Sequence, residues 1–410
     1  MILYSVFCVL LSMFLLEIGP YFDSAFMAIG VGVGMRTLVI QGAALIIVGS
    51  ILVTRSADKA VWRELLVMVA VWAPFLLYIA LRVDSGNLYS ELKFGKIFMI
   101  SFLSTITVTI AYLCDSRIFL RLLPIVIIVL SLVLGLQALM HPQQFMYRGD
   151  IERMTIDGMN PIWLARSFAL AGVCLFLFPT QSNIVKLLGL TLVIAGILPT
   201  GSRGPLLSLI MTLVVWSVVR SGRVGGRAVI VVVVAGVLVI SAFLFAGDDI
   251  ETTLNSYFSR GQHQGFVEES GRPQIFSLAA NDFLSAPVVG VGLGVFGRSS
   301  GHFSKDLFGK TSSKQGLHPH NIVLEILTEL GMLGMILAVI ALRPGKWLLD
   351  LRNPYFYPFL LTVAFSMSSG DITTNTGVII FGTLARLTSQ YSFRELIQID
   401  YEMPKVELIV

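Results

Sequence analysis

Charge is what this 410-residue sequence has least of: only 13% of its residues are Asp, Glu, Lys or Arg. A soluble domain carries about 25%, so a water-exposed globular surface is excluded for most of the chain. The positive surplus is small too. A net charge of +4 scattered over loops gives no basic face for nucleic acid. Cysteine is scarce: Cys8, Cys114 and Cys174 all fall in apolar runs, which argues against a disulfide framework and leaves each as a small packing residue. The strict alternation of a barrel strand is missing, as are any repeat of fixed period and any low-complexity tract. The opening run, Ile2–Leu16, has neither a basic leader nor a small-residue cleavage site. It is expected to remain as a first helix.

Long apolar runs are what the sequence has in quantity. It is 55% hydrophobic, with a mean hydropathy of +0.83. Uncharged stretches such as Leu65–Leu81, Ile97–Cys114, Leu122–Met140 and Ala228–Ala246 recur. Each has the roughly 17–25 residues that a helix needs to cross a bilayer. The expected fold is an all-α polytopic membrane protein of about twelve spans. They lie near residues 2–18, 37–53, 63–82, 97–114, 122–140, 161–179, 186–199, 205–219, 228–246, 320–341, 354–368 and 376–388.

Basic residues in short loops set orientation. Arg55, Lys59 and Arg63, then Arg117 and Arg121, Lys186, Arg220, Arg223 and Arg227, and Arg343, Lys346 and Arg352 all fall on one side of this arrangement. That side is expected to be cytoplasmic and to hold both termini. The outer side holds two larger segments, 141–160 and the long loop between the ninth and tenth spans. The chain divides accordingly into N-terminal helices (1–140), central helices (141–246), an outer loop subdomain (247–318), and C-terminal helices with a cytoplasmic tail (319–410).

Polar groups gather in four outer places. The first is MYRGDIERMTIDGMNPIWLAR, which carries Arg148, Arg153, Asn160 and Arg166. The second is TGSRGP, residues 200–205, squeezed between two spans so that Arg203 sits at or just above membrane depth. An arginine there is costly unless paired or wet. Gly201 and Gly204 permit a tight turn, Ser202 suits a helix cap, and Pro205 suits a first turn. Exposed N–H groups plus a guanidinium make a phosphate-binding device; an arginine reaching the outer headgroups is the other reading. The third is SGRPQIF with Arg272, followed by the glycine-rich GVGLGVFG at 290–297. No strand–helix unit surrounds those glycines, so a re-entrant turn or close helix packing is expected rather than a nucleotide loop.

The fourth is HPHNIVLEILTELGMLG, residues 318–334, which holds two of the chain's five histidines. Pro319 is expected at the first helical position with His320 in the first turn. Asn321, Glu325 and Glu329 are spaced i, i+4, i+8 and share one face. Such a face must look into the bundle or a wet cavity. His318 and His320 lack the i, i+4 spacing of a zinc helix and have no cysteine nearby, so neither metal nor cofactor is expected. A neutral His320 accepting a proton is one reading, and an interfacial histidine that only packs is the other. One histidine base and several arginines form a kit for transferring a glycosyl group from a lipid diphosphate.

In TGSRGPLLSLI, GRPQIFSLAANDFLSAPVVGVGLGVFG and HPHNIVLEILTELGMLGMI, taken in that order, the chain resembles the O-antigen ligase / O-antigen polymerase superfamily of bacterial inner-membrane glycan transferases. The resemblance covers roughly residues 145–340. It implies a helical fold like the C-type membrane glycosyltransferases, and a metal-free periplasmic site fed by undecaprenyl-diphosphate-linked glycan. It implies His320 as base and Arg203 and Arg272, with Ser202, at the diphosphate. Arg148 or Arg153 matches a further basic position only loosely, and His318 has no clear counterpart. Asn160, Arg166, Asn321 and Glu325 are further candidates for substrate or supporting contacts. A ligase moves a finished glycan to lipid A-core, whereas a polymerase extends a lipid-linked repeat; the single long outer loop leans towards the ligase. A transporter is the rival from another class. It would place ionisable groups mid-span in broken helices, often with inverted repeats.

Overall fold

The computed structural model describes residues 59–114, 116–140, 143–147, 151–155, 161–177, 183–221, 272–296, 318–367, 372–373 and 375–390. Three expected spans, near 2–18, 37–53 and 228–246, lie outside the described residues. The other nine expected spans each correspond to helix. They are α1 (Lys59–Leu81), α2 (Leu88–Lys96) running through a π-turn at Ile97–Phe102 into α3 (Leu103–Cys114), and α4 (Ser116–Met140). After a hairpin come α5 (Pro161–Leu177), α6 (Asn183–Ile197) and α7 (Arg203–Ser221). Then follow α8 (Arg272–Ser285), within the segment expected to be outer, α9 (Ile322–Leu342), α10 (Phe356–Ser366) and α11 (Thr376–Gln390). Among the described residues, five helices are long and apolar enough to cross a membrane: Val61–Leu81, Tyr89–Leu113, Ile118–Met140, Asn183–Thr200 and Ile322–Leu342.

Three expectations are corrected. The fourth span starts earlier than Ile97, because Asn87 caps a helix there. Its side-chain oxygen accepts from the N–H groups of Tyr89 (3.1 Å) and Ser90 (3.4 Å), so the turn that holds Lys93 belongs to the span. The 141–160 segment departs from the all-α expectation. Gln143–Tyr147 and Ile151–Thr155, here β1 and β2, pair antiparallel, with Phe145 opposite Arg153. The third correction is the start of α9, described below.

α5 is the hub. Leu164 to Phe176 are buried throughout, and the helix packs against α4, α6, α7 and α10. Close approach rests on small residues, as lipid-embedded helices require. The Phe168 ring fits between Gly135 of α4 and Gly196 of α6. Two hydroxyls inside α3 bond to their own helix, Thr105 to the Ser101 carbonyl (2.8 Å) and Thr107 to that of Leu103 (2.9 Å), so an apolar span carries these two without orphaned donors.

The bundle has two polar ends. At one, Glu64 of α1 accepts from Arg343 at the end of α9 (2.5 Å) and from Arg386 near the end of α11 (2.6 Å). Asn353 there donates to the Ala385 carbonyl (2.6 Å), and Tyr355 to that of Leu120 (2.9 Å). This is the end with Lys59, Arg63, Lys346 and Arg352. The other end gathers the candidate residues.

Candidate functional site

Asn321, and not Pro319, opens α9. Its backbone is extended (φ −147°, ψ 117°), its side-chain oxygen accepts from Val323 N–H (3.0 Å) and Leu324 N–H (3.1 Å), and its amide donates to the Met367 carbonyl (3.2 Å). Asparagine is among the best caps, whereas proline suits only the residue after one. Pro319 is buried before the helix, and His320 sits just outside it in a left-handed turn (φ 55°). A non-glycine residue there is uncommon and is held by its surroundings. The half-buried His320 ring meets that of His318 edge to face, with centroids 4.2 Å apart. The cap therefore leaves His320 outside the helix, at the end of the bundle where α9 begins.

The acidic face behaves as its spacing requires, and its partner is Lys93 of α2. Lys93 Nζ donates to both oxygens of Glu329 (2.7 and 2.8 Å) and pairs with Glu325, and all three side chains are 1% exposed. Glu329 Oε2 also accepts from Gly294 N–H (2.9 Å), and Glu325 Oε2 from Ile372 N–H (2.8 Å). The sequence reading passed over Lys93. A signal was present: an asparagine cap at position 87, followed by Glu91, starts the helix early enough to draw Lys93 inside.

α9 is broken at Gly331 (φ 68°, ψ −170°), and the glycine-rich segment fills the break. Val291 N–H donates to the Thr328 carbonyl (2.9 Å) and Gly292 N–H to that of Glu329 (3.0 Å); in return Met332 and Leu333 donate to Pro287 (2.9 Å) and Val288 (3.0 Å). Residues 286–296 thus form the expected close-packed turn. From α1, Tyr78 Oη lies 2.8 Å from the Leu330 carbonyl, and Arg82 donates to that of Gly290 (2.6 Å). Broken helices are a transporter feature, but this break is filled by chain and its carboxylates are held by a lysine.

Arg272 is the first residue of α8. Leu324 of α9 packs on Ile275, Leu278 and Ala279 of α8, while the end of α8 leads into the 287–333 pairing. The two helices therefore run side by side in the same sense, and both starts lie at one end. Arg203 is the first residue of α7 and half-exposed. The turn before it ends in a left-handed Gly201 (φ 62°), and Ser202 directs its hydroxyl back to the Thr200 carbonyl (3.4 Å). That turn, Leu198–Thr200, touches β2 and α5, so the strand of Arg153 lies beside it. Arg166 stands apart from the other arginines. It is 1% exposed and donates to Asn375 (3.2 Å) and the Phe365 carbonyl (3.2 Å), bracing α5 against α10 and α11. Arg148 and Asn160 lie outside the described residues.

Residues 188–339 match the family model described as O-antigen ligase, the superfamily whose motifs the sequence carries. No curated relative matches the chain. The matched segment contains Arg203, Arg272, His320, Glu325 and Glu329. The match covers less than half of the chain and supports, at the level of that family, glycosyl transfer of ligase or polymerase kind.

Proposed function

We propose that this chain attaches polysaccharide to lipid A-core, taking the glycan from undecaprenyl diphosphate at the periplasmic face of the inner membrane. The observation that carries the reading is that one O-antigen ligase match spans Arg203, Arg272 and His320, the three residues the chemistry needs. His320 takes the proton of the acceptor hydroxyl, and that oxygen attacks the anomeric carbon. The bond from the anomeric carbon to the diphosphate oxygen breaks, and the leaving diphosphate carries its electron pair away. Arg203 and Arg272 neutralise that charge by charge-assisted hydrogen bonds, with Ser202 beside them. The left-handed turn at His320 supports the role of base, since it frees the ring from the helix surface. Arg148, Arg153 and Asn160, in the sequence before α5, are further candidates for substrate contacts. No metal enters any step, and both termini are cytoplasmic.

Purified protein with lipid-linked glycan, lipid A-core and excess chelator tests the proposal. Capped lipid A-core is the expected product, and His320→Ala is expected to lose about a hundredfold or more of the rate. Transfer at wild-type rate by His320→Ala, or by Arg203→Ala at equal expression, sinks the site assignment. If lengthened lipid-linked glycan forms and lipid A-core stays bare, the enzyme is a polymerase.

A further inference from the structure

The Lys93–Glu325–Glu329 cluster joins α2, α9, the glycine segment and the connection at Ile372. Lys93 comes from α2, and both carboxylates come from α9, one turn apart. Glu329 reaches the glycine segment twice, through its side chain to Gly294 N–H (2.9 Å) and through its carbonyl to Gly292 N–H (3.0 Å). Glu325 reaches Ile372 N–H (2.8 Å), in the short connection that also holds Asn375, the partner of Arg166. Glu325 N–H in turn bonds the Asn321 carbonyl (2.9 Å), so the cluster lies one turn below the cap that carries His320.

A lysine buried to 1% costs several kcal/mol to desolvate and is retained only with paired charge and well-made hydrogen bonds. A hydrophobic residue would fill the same space at less cost. What the charges add is direction, because a bidentate carboxylate and two backbone N–H groups fix where α9 stands relative to three neighbours. The neighbour that matters for chemistry is α8. It starts with Arg272, runs beside α9, and is tied to it through the same glycine segment that Glu329 grips.

We infer that Lys93 is a positioning residue: through Glu325 and Glu329 it sets the His320 end of α9 in register with the Arg272 helix. This rests on the reading of His320 and Arg272 as base and diphosphate ligand. Lys93 touches neither donor nor acceptor. Its loss removes the ammonium that lies between two buried carboxylates, and α9 is pushed from its place against α2 and the glycine segment.

The test reads position and rate separately. Nitroxides are placed at Leu284→Cys on α8 and Val323→Cys on α9, both exposed, in a full-length background lacking Cys8, Cys114 and Cys174. In Lys93→Met the distance distribution is expected to broaden. The kcat per folded molecule is expected to fall about tenfold to a hundredfold, with KM for the lipid-linked donor within about threefold. The neutral variant Lys93→Met/Glu325→Gln/Glu329→Gln removes the uncompensated charge and keeps acceptors for Gly294 and Ile372. It is expected to recover the folded fraction, while the distribution stays broad and the rate stays low, because no charge then aims α9. An unchanged distribution in Lys93→Met overturns the inference, whatever the rate does. So does a loss of activity that follows only the folded fraction, or a neutral variant that restores both readouts without Lys93. If wild-type protein transfers no glycan, the proposed function fails, and the distance measurement alone decides whether Lys93 holds the register.

Discussion

Gly290 lies so close to the Glu329–Leu330 peptide of α9 that a methyl group built on it would stand 2.3 Å from the Glu329 carbonyl carbon. Gly331 returns the contact, since its own methyl would stand 2.4 Å from the Val288 carbonyl oxygen. Two glycines about forty residues apart thus let two backbones share hydrogen bonds where one helix breaks. Every donor and acceptor that the break releases must find a partner inside a membrane protein. The 286–292 segment and Tyr78 supply those partners.

Gly331→Ala is therefore expected to be severe. Its φ of 68° with ψ of −170° is a region essentially reserved for glycine. The strain of about 1–3 kcal/mol comes on top of the clash. Thermal unfolding in detergent should show a large drop, and little folded protein should survive expression. A variant that melts within a degree of wild type would mean that α9 passes Gly331 unbroken.

At the opposite end, one carboxylate serves two guanidiniums. Glu64→Gln removes the carboxylate that Arg343 and Arg386 share and is expected to cost about 2 kcal/mol or more. Arg386→Met should cost more than Arg343→Met, because Arg386 is 5% exposed and Arg343 is 23% exposed and partly served by water. Unfolding midpoints of the three variants check the order. Equal values for the two arginine variants would contradict it.

What was legible in the sequence follows from how local each signal is. The acid spacing in α9 was readable because helical period is a property of neighbouring residues, and both carboxylates do face inward. Apolar runs marked nine stretches that are helical among the described residues for the same reason, five of them long and apolar enough to cross a membrane. Lys93 was not readable as their partner, because the pairing spans 236 positions and charge alone made the residue look like a loop. The break at Gly331 was hidden too. Hydropathy continues unbroken through LGMLG, and what opens the helix there is chain from before the histidine stretch. The helix starts three residues after the expected Pro319, at Ile322, because Pro319 and Asn321 both signal a helix start, and only tertiary contact with Met367 favours the second.

Glycines in the bundle give a contrasting pair. Gly196→Ala would bring a methyl to 2.9 Å from the Phe168 ring, within a core where α4, α5 and α6 meet. Overpacking of this kind costs about 1–3 kcal/mol. Gly95→Ala meets nothing within 4 Å and lies in α2, where alanine is the better helix former by about 1 kcal/mol. The first should lower the midpoint of thermal unfolding and the second should leave it level or raise it. The reverse order would show that burial around Phe168 is not tight.

Arg166 and Arg203 are both arginines within a few residues of a helix start, but their surroundings assign them different work. Arg166 is buried, and its guanidinium is spent on Asn375 and the Phe365 carbonyl, with the Phe365 ring 5.2 Å beneath it. Arg166→Met leaves a buried carbonyl and a buried amide oxygen short of a donor, at about 1–3 kcal/mol each. Arg166→Lys should recover little, since one ammonium cannot reproduce a planar fork. Arg203 is half-exposed, so Arg203→Met should leave the unfolding midpoint nearly in place while glycan transfer falls. Melting curves and transfer rates on the same preparations separate the two. The pairing of stability loss with Arg166 and activity loss with Arg203 is the expected result, and an Arg166→Met protein as stable as wild type would remove it from the frame of the bundle.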